Sequence, residues 1–280
     1  MNTRRDFLVK AGLACASLAA LRVSAGAVAG KKKIPVGLQL YSLRKQGETD
    51  FAGMIKKVGE IGYSGVEFAG YGPYGDKPAE LRKLLDDAGL KAFGTHTGYD
   101  QVMPDKVQKT IDFHKTLGCA YIVVPWIDPK QMESKDGCAK VAEILTRANE
   151  TVVAAGLRLG YHAHGGDFAK IDGDRTAWEV FFDLMPKTFV HQIDLCNCLG
   201  GGGDPYKLIE RYPGQTLTIH LKEFGGPEGA VCGQGKVDFK RVLALCEDVG
   251  GTGYYIVEHE SNPDKAYESV KQCLDYLKTL

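Results

Sequence analysis

From Lys33 onward, short apolar runs alternate with segments whose apolar residues recur at helical spacing. The run IPVGLQLYS (34–42) reads as a strand. It is followed by TDFAGMIKKVGEIG (49–62), where Phe51, Met54, Ile55, Val58 and Ile61 share one helical face and Gly62 is a stop signal. Seven further strands are expected in YSGVEFAG (63–70), KAFGTHTG (91–98), AYIVVPW (120–126), LRLGYHAH (157–164), TFVHQIDLC (188–196), QTLTIHLKEF (215–224) and GYYIVEHE (253–260). Helices are expected over 77–90, 104–118, 131–155, 174–185, 204–212, 237–249 and 263–279. Each strand is thus followed by a helix, which implies parallel strands joined by right-handed crossovers. Eight such units in residues 30–280 predict one α/β domain, a (β/α)8 TIM barrel. A doubly wound open sheet is the alternative. Its nucleotide-binding form loses support because no G-x-G-x-x-G follows the first strand.

Residues 1–29 have a different character. Arg4 and Arg5 precede a mostly apolar stretch from Ala11 to Leu21, and Ala25-Gly26-Ala27 and Ala27-Val28-Ala29 offer small-residue cleavage points. The apolar stretch is short for a membrane span and Arg22 interrupts it. Thr3-Arg4-Arg5-Asp6-Phe7-Leu8 resembles the twin-arginine signal, so export to the periplasm by that route is expected, with no stable membrane anchor after signal removal. Cys15 does not suggest lipidation, because Gly12 stands where a lipobox has Leu or a similar residue.

The chain has 280 residues, 44% of them hydrophobic, and zero net charge. The charge balance argues against nucleic acid as a partner, since such proteins usually carry a basic face. Eight cysteines show neither C-x-x-C nor zinc-finger spacing and are read mainly as small core residues. Disulfide pairing and oligomeric state are left open.

In a (β/α)8 barrel the chemistry sits at the C-terminal ends of the strands. That filter selects Glu67 on strand 2, His96 on strand 3, His162 and His164 on strand 5, Asp194 on strand 6, His220 and Lys222 on strand 7, and Glu258 and Glu260 on strand 8. So many polar groups at one end are expensive to bury without a purpose. His162, Asp194, His220 and Glu258 form a mixed nitrogen and oxygen set from four successive strands. It suits one divalent ion, Mn²⁺ first, with Zn²⁺, Co²⁺, Fe²⁺ or Mg²⁺ as alternatives. Glu258 and Glu260 share a strand face and could exchange roles. His164 is expected to meet substrate, the bland alternative being a loop position. Lys222 is expected to stabilise an enolate or hold a sugar oxygen, the alternative being a salt bridge to Glu258 or Asp194. Glu67, His96 and Trp126 are expected to line the substrate cavity. LGGGGDP (199–205) reads as the loop after strand 6, since it lacks a P-loop lysine and serine.

The motifs VGLQLYSLR, GYHAH, IDLCN followed by GGGDP, IHLKE, GQGKVDF and YYIVEHE resemble, in order and spacing, the xylose-isomerase-like TIM-barrel superfamily. This is the sugar phosphate isomerase/epimerase group, and the resemblance covers about residues 33–280. It implies metal ligands on strands 5 to 8, which match His162, Asp194, His220 and Glu258. Lys222 matches the family's H-x-K-D pattern, although Glu223 stands where Asp is usual. Ketose 3-epimerases of this group use Glu on strand 5, where this chain has His162, and that points toward the inosose dehydratase branch. The endonuclease branch fits poorly, because its D-x-x-H is Asp194-Leu195-Cys196-Asn197 and its later D-x-H is missing. The implied activity is a metal-dependent isomerase, epimerase or lyase. It would remove a proton beside a carbonyl of a free sugar, inosose or 3-oxo-glycoside, with Glu258, Glu260 or His164 as base. A non-catalytic sugar-binding barrel or a glycoside hydrolase is the alternative.

Overall fold

Eight parallel strands line the interior of the computed structural model, which describes residues 33–280. They are β1 (Val36–Gln39), β2 (Gly65–Phe68), β3 (Lys91–His96), β4 (Tyr121–Val124), β5 (Arg158–His162), β6 (Val190–Gln192), β7 (Thr218–Leu221) and β8 (Tyr254–Val257). Their order in the sheet is β6-β5-β4-β3-β2-β1-β8-β7, every pair parallel. The two end strands meet through a parallel bridge between Asp194 and His220, with the His220 N–H donating to the Ile193 carbonyl at 2.9 Å. That contact closes the ring. The fold is therefore the (β/α)8 barrel, and the open-sheet alternative is excluded.

The outer ring contains α1 (Phe51–Ile61), α2 (Pro78–Asp87), α3 (Val107–Leu117), α4 (Lys135–Ala154), α5 (Ala177–Phe182), α6 (Pro205–Arg211), α7 (Phe239–Leu245) and α8 (Ala266–Leu277). Local chemistry sets several boundaries. Asp50, Ser134 and Thr176 accept backbone N–H groups in the first turns of α1, α4 and α5. Gly62 and Gly118 take the left-handed conformation that ends α1 and α3, with φ of 101° and 88°.

Apolar burial falls into two compartments. The larger packs strands against helices, and a small inner one, built around Phe93, Tyr121, Val123 and Ile256, fills the lower barrel. A bulge makes room for it. Val66 pairs with Ala92 and Glu67 with Gly94, so Phe93 is the extra residue. Gly94 is required by close approach, since a Cβ there would lie 2.0 Å from the Tyr121 ring. The inner plug leaves only the upper barrel for polar side chains.

The strands are shorter than the apolar runs suggest. Beyond Gln39 the chain turns into a 3-10 segment, Leu40–Leu43, with the Gln39 side chain accepting the Tyr41 N–H. The run 188–196 leaves the sheet at Gln192, and Asp194 instead caps a short helix, Leu195–Gly200. Past the barrel rim there is no neighbouring strand to take the backbone hydrogen bonds, so turns and caps take them. The segment expected to begin a helix at 174 first completes a small hairpin, Lys170–Asp172 with Arg175–Thr176. The run 237–249 also changes character, leaving α7 after Leu245 for a π-turn over Cys246–Gly250. The expected export signal, residues 1–29, lies outside the described residues. Among those described, no helix is long and apolar enough to cross a membrane. The seven described cysteines are free thiols, and all but Cys196 are buried.

Two histidines outside the barrel interior give the fold a pH signature. His191 is buried on the outer face of β6 and its Nε2 accepts the Trp178 Nε1–H at 2.6 Å. The His114 Nδ1 lies 2.6 Å from the Thr110 carbonyl, and its Nε2 lies 2.6 Å from the Tyr71 hydroxyl. Burial pushes His191 down to about 3 and His114 down to about 4. Both pKa values are depressed below an unfolded value of about 6.5, so the native state prefers neutral imidazole. Their contribution to stability is complete above that pH and is lost as pH falls toward the folded values, by roughly 1.4 kcal/mol per unit for each histidine. In urea unfolding these two histidines should therefore contribute a loss on the order of 2–4 kcal/mol between pH 6.5 and pH 5. His191→Gln should remove about half of that slope. An unchanged slope in the variant would place the acid sensitivity elsewhere.

Candidate metal centre and active site

Side chains alternate along a strand, so the last inward positions of several strands converge above the apolar plug. Gln39, Glu67, His96, His162, Gln192, His220 and Glu258 meet there, with Asp194 just past the end of β6. Glu67 is the hub. Its Oε1 accepts from Gln39 Nε2 at 2.7 Å and lies 2.6 Å from His220 Nε2 and 3.0 Å from His96 Nε2. Its Oε2 accepts from Gln192 Nε2 at 2.7 Å. Gln192 Oε1 in turn faces His96 Nε2 at 2.8 Å and His162 Nδ1 at 3.0 Å. The His96 and His220 rings stack with centroids 5.2 Å apart.

This network presents one nitrogen of each key imidazole upward. With Nε2 of His220 tied to Glu67, its Nδ1 faces Glu258 Oε2 at 2.9 Å and Asp194 Oδ2 at 3.8 Å. With Nδ1 of His162 tied to Gln192, its Nε2 is the nitrogen left for a ligand. One donor atom from each of His162, Asp194, His220 and Glu258 lies within 4.8 Å of the others. Asp194 Oδ1 is engaged by the Asn197 N–H at 2.7 Å, but Oδ2 is buried without a hydrogen-bond partner. A buried carboxylate oxygen without a partner is costly unless a cation satisfies it. Two imidazoles and two carboxylates are the donor set of a divalent transition ion, so these residues could hold one. The Glu67–His220 pair matches the common arrangement in which a ligating histidine donates its second N–H to a carboxylate. His96, His162 and His220 also have converging nitrogens, but that trio carries no carboxylate of its own.

Charge is balanced within the cluster. Burial alone would raise Glu67, but the imidazoles of His220 and His96 outweigh it and hold its carboxyl well below the usual range. Burial would lower His220, but Glu67 and Glu258 outweigh it and push its pKa up to about 10. Burial would raise Glu258, yet His220 and Lys222 pull it down to about 2. Asp194 moves the other way. Burial and the Glu258 charge, only partly opposed by Lys222, push it up to about 7. His162 is held well below its usual value, first by burial and then by the neighbouring imidazoles, which keeps it neutral as a ligand must be.

Above the cluster lies a cavity of about 460 Å³, lined by His96, His162, His164, Lys222, Glu258 and Glu260 among others. That size suits a single sugar-like ring. The Lys222 ammonium is hydrogen-bonded to Glu260 and lies 3.9 Å from Glu258 Oε2 and 4.0 Å from Asp194 Oδ2. Burial would lower Lys222, but these three carboxylates outweigh it and hold it protonated. His164 has a buried Nδ1 without a partner, and burial, followed by the His96 charge, lowers its pKa.

The structure brings together the four ring residues, and places His96, His164, Lys222 and Glu260 on the cavity. One expectation is corrected. Glu67 does not line the cavity: it is 0% exposed, because at its level the barrel interior is filled by Gln39, Gln192, His96 and His220. It contacts the candidate ligand His220 from below. Trp126 stands 54% exposed at the rim, one residue beyond Pro125, which lines the cavity. Sequence reasoning passed over Gln39, Gln192, Asn197 and Tyr41. The signal was present for the glutamines, since an amide inside the apolar runs VGLQ and FVHQI is itself a buried polar group in need of partners. Asn197 donates its side-chain N–H to the Ala163 carbonyl at 3.0 Å, and both Asn197 and Tyr41 line the cavity.

Comparison with known proteins agrees with this architecture. The family model described as Xylose isomerase-like TIM barrel matches residues 55–280. An inosose dehydratase of Geobacillus kaustophilus is 24% identical over 273 residues, covering 81% of this chain and 86% of that protein. An inosose dehydratase of Lacticaseibacillus casei is 26% identical over 262 residues, covering 78% and 85%. The crystal structure of a sugar phosphate isomerase/epimerase from Parabacteroides distasonis superposes with a TM-score of 0.76 at 24% identity, covering 89% of this chain and 99% of that one.

Two substitutions test the centre. His162→Ala should lower Mn²⁺ affinity at least ~100-fold in calorimetric titration while circular dichroism stays unchanged. Glu67→Gln, which keeps the shape but removes the charge on His220, should weaken binding by ~10–100-fold. Wild-type affinity in both variants would remove these residues from the centre.

Proposed function

This chain belongs to the xylose isomerase-like TIM barrel family and is an enzyme of the isomerase, epimerase or lyase type, and from that premise we propose that it acts as a divalent-metal-dependent lyase on a cyclic polyol ketone of the inosose kind. The observation that carries the reading is the ring of His162, Asp194, His220 and Glu258 beneath the ~460 Å³ cavity, with Asp194 Oδ2 buried and without a hydrogen-bond partner. Relatives called inosose dehydratases support the substrate class.

His162, Asp194, His220 and Glu258 would hold a divalent ion, which would supply Lewis acidity to the substrate carbonyl. The chain's own groups would do the rest. His164, neutral because burial lowers its pKa, takes the proton from the carbon next to the carbonyl. The Lys222 ammonium, held charged by Asp194, Glu258 and Glu260, offsets the negative charge that develops on oxygen. Glu260 orients that ammonium through their hydrogen bond. The protonated His164 then gives its proton to the β-hydroxyl, which leaves as water as the enolate electrons form the C=C bond, giving an unsaturated ketone and neutral His164. Elimination is favoured over two-base epimerisation because His162 occupies the strand 5 position where a second carboxylate would stand. Export by the twin-arginine route belongs to the same proposal. It is supported by Thr3-Arg4-Arg5-Asp6-Phe7-Leu8 and the apolar segment after it, and it directs the reading to unphosphorylated substrates.

The test is an NMR experiment in D2O, with Mn²⁺-loaded protein and a panel of inososes, ketoses and 3-oxo-glucosides. The expected result is an unsaturated product from an inosose, with or without deuterium uptake beside the carbonyl of the remaining substrate. His164→Ala should lower kcat by ~10²–10⁴-fold with little change in metal content. Exchange without elimination would make the enzyme an isomerase or epimerase. No exchange in metal-loaded protein with any member of the panel would contradict the proposal.

A further inference from the structure

Cys232 lies in the loop that follows β7, and Cys273 lies on α8. Both are buried, and they touch. The Cys232 N–H donates to Cys273 Sγ at 3.2 Å, and Cys232 Sγ lies 3.5 Å from the Leu221 carbonyl. The neighbouring Cys232 thiol lowers the pKa of Cys273, which favours its thiolate form. The loop they join is organised from its base. Glu223 Oε1 accepts the N–H groups of Phe224 at 3.0 Å and Val237 at 3.1 Å, and Oε2 accepts that of Gly233 at 2.7 Å. Glu223 directly follows Lys222, so the loop's anchor adjoins the cavity wall. Gly233 packs against α8, where a Cβ would meet the Tyr276 ring at 2.5 Å.

We propose that Cys232 and Cys273 form an oxidisable thiol pair whose disulfide staples the loop after β7 to α8. The Cys232 backbone N–H already rests on the Cys273 sulfur, so the two residues are side by side before any bond forms. The oxidant is a small-molecule disulfide of the glutathione type. The Cys273 thiolate attacks one of its sulfurs, forming a mixed disulfide and expelling one thiolate. The Cys232 sulfur then attacks Cys273 Sγ, forming the Cys232–Cys273 bond and expelling the second thiolate. The protons of the two protein thiols end on the two released small thiols, so two thiols are oxidised and one disulfide is reduced. Because both sulfurs are buried, the loop must open before the oxidant reaches them, and the reaction is slow until it does.

The experiment uses the full wild-type chain, incubated with oxidised glutathione at pH 8 and then alkylated in denaturant. A non-reducing tryptic map should contain residues 223–236 joined to residues 272–278, with two thiols lost per chain. The thermal midpoint should rise on the order of 10 °C and return on adding dithiothreitol. Retention of all thiols, capping by glutathione alone or linkage of any other pair would overturn the proposal. A linked peptide with an unchanged midpoint would overturn the staple. Because the wild-type chain is used, no outcome depends on whether a cysteine variant folds.

Discussion

The His220 imidazole, clamped between Glu67 and Glu258 at 2.6 and 2.9 Å, sets the geometry on which the rest of the site depends. A charged chain of this kind survives burial only because each member has an opposite charge in hydrogen-bond reach, and removing one partner from a buried pair costs about 3–5 kcal/mol. The clamp fixes which ring nitrogen points down to Glu67 and which points up toward Asp194 and Glu258. Gln192 does the same for His162 and holds Glu67 from the opposite side. The lower side of both imidazoles is therefore set by Glu67 and Gln192, two fully buried residues.

Two tiers follow. The lower tier, from the Tyr121 plug to the Glu67 network, is buried and hydrogen-bonded throughout. The upper tier keeps groups without hydrogen-bond partners, Asp194 Oδ2 and His164 Nδ1, beside a protonated Lys222. Unsatisfied buried polar atoms mark places where a folded chain gives up stability for chemistry. Here His164 lines the cavity and Asp194 belongs to the ring of donors beneath it. In the proposed reaction the ring beneath binds the ion, His164 moves the proton and Lys222 stabilises charge on oxygen.

The strand and helix alternation made the barrel legible, because parallel strands buried on both faces are strongly apolar and each is followed by an amphipathic helix. His162, Asp194, His220 and Glu258 were legible too, as polar residues at the ends of such strands. Depth was not. Glu67 and His96 both fall near strand ends, and a bulge at Phe93 sets their register, yet Glu67 is closed in by Gln39, Gln192 and His220 while His96 reaches the cavity wall. A bulge adds one residue and shifts register, and neither is visible in hydrophobic periodicity. Gln39 and Gln192 went unseen because amides do not titrate and were not counted as chemistry, although they orient the groups that do. The Leu195–Gly200 helix carried a cap signal in Asp194, but the same residue was already assigned to the end of a strand.

The central claim is that one divalent ion sits on the four upper donors and that Glu67 supports it from outside. Anomalous diffraction at the manganese edge, from crystals grown with Mn²⁺, tests this most directly. The account predicts one peak bounded by His162, Asp194, His220 and Glu258, with Glu67 still hydrogen-bonded to Nε2 of His220. No peak among those four residues, or a peak with Glu67 as a ligand, would contradict it.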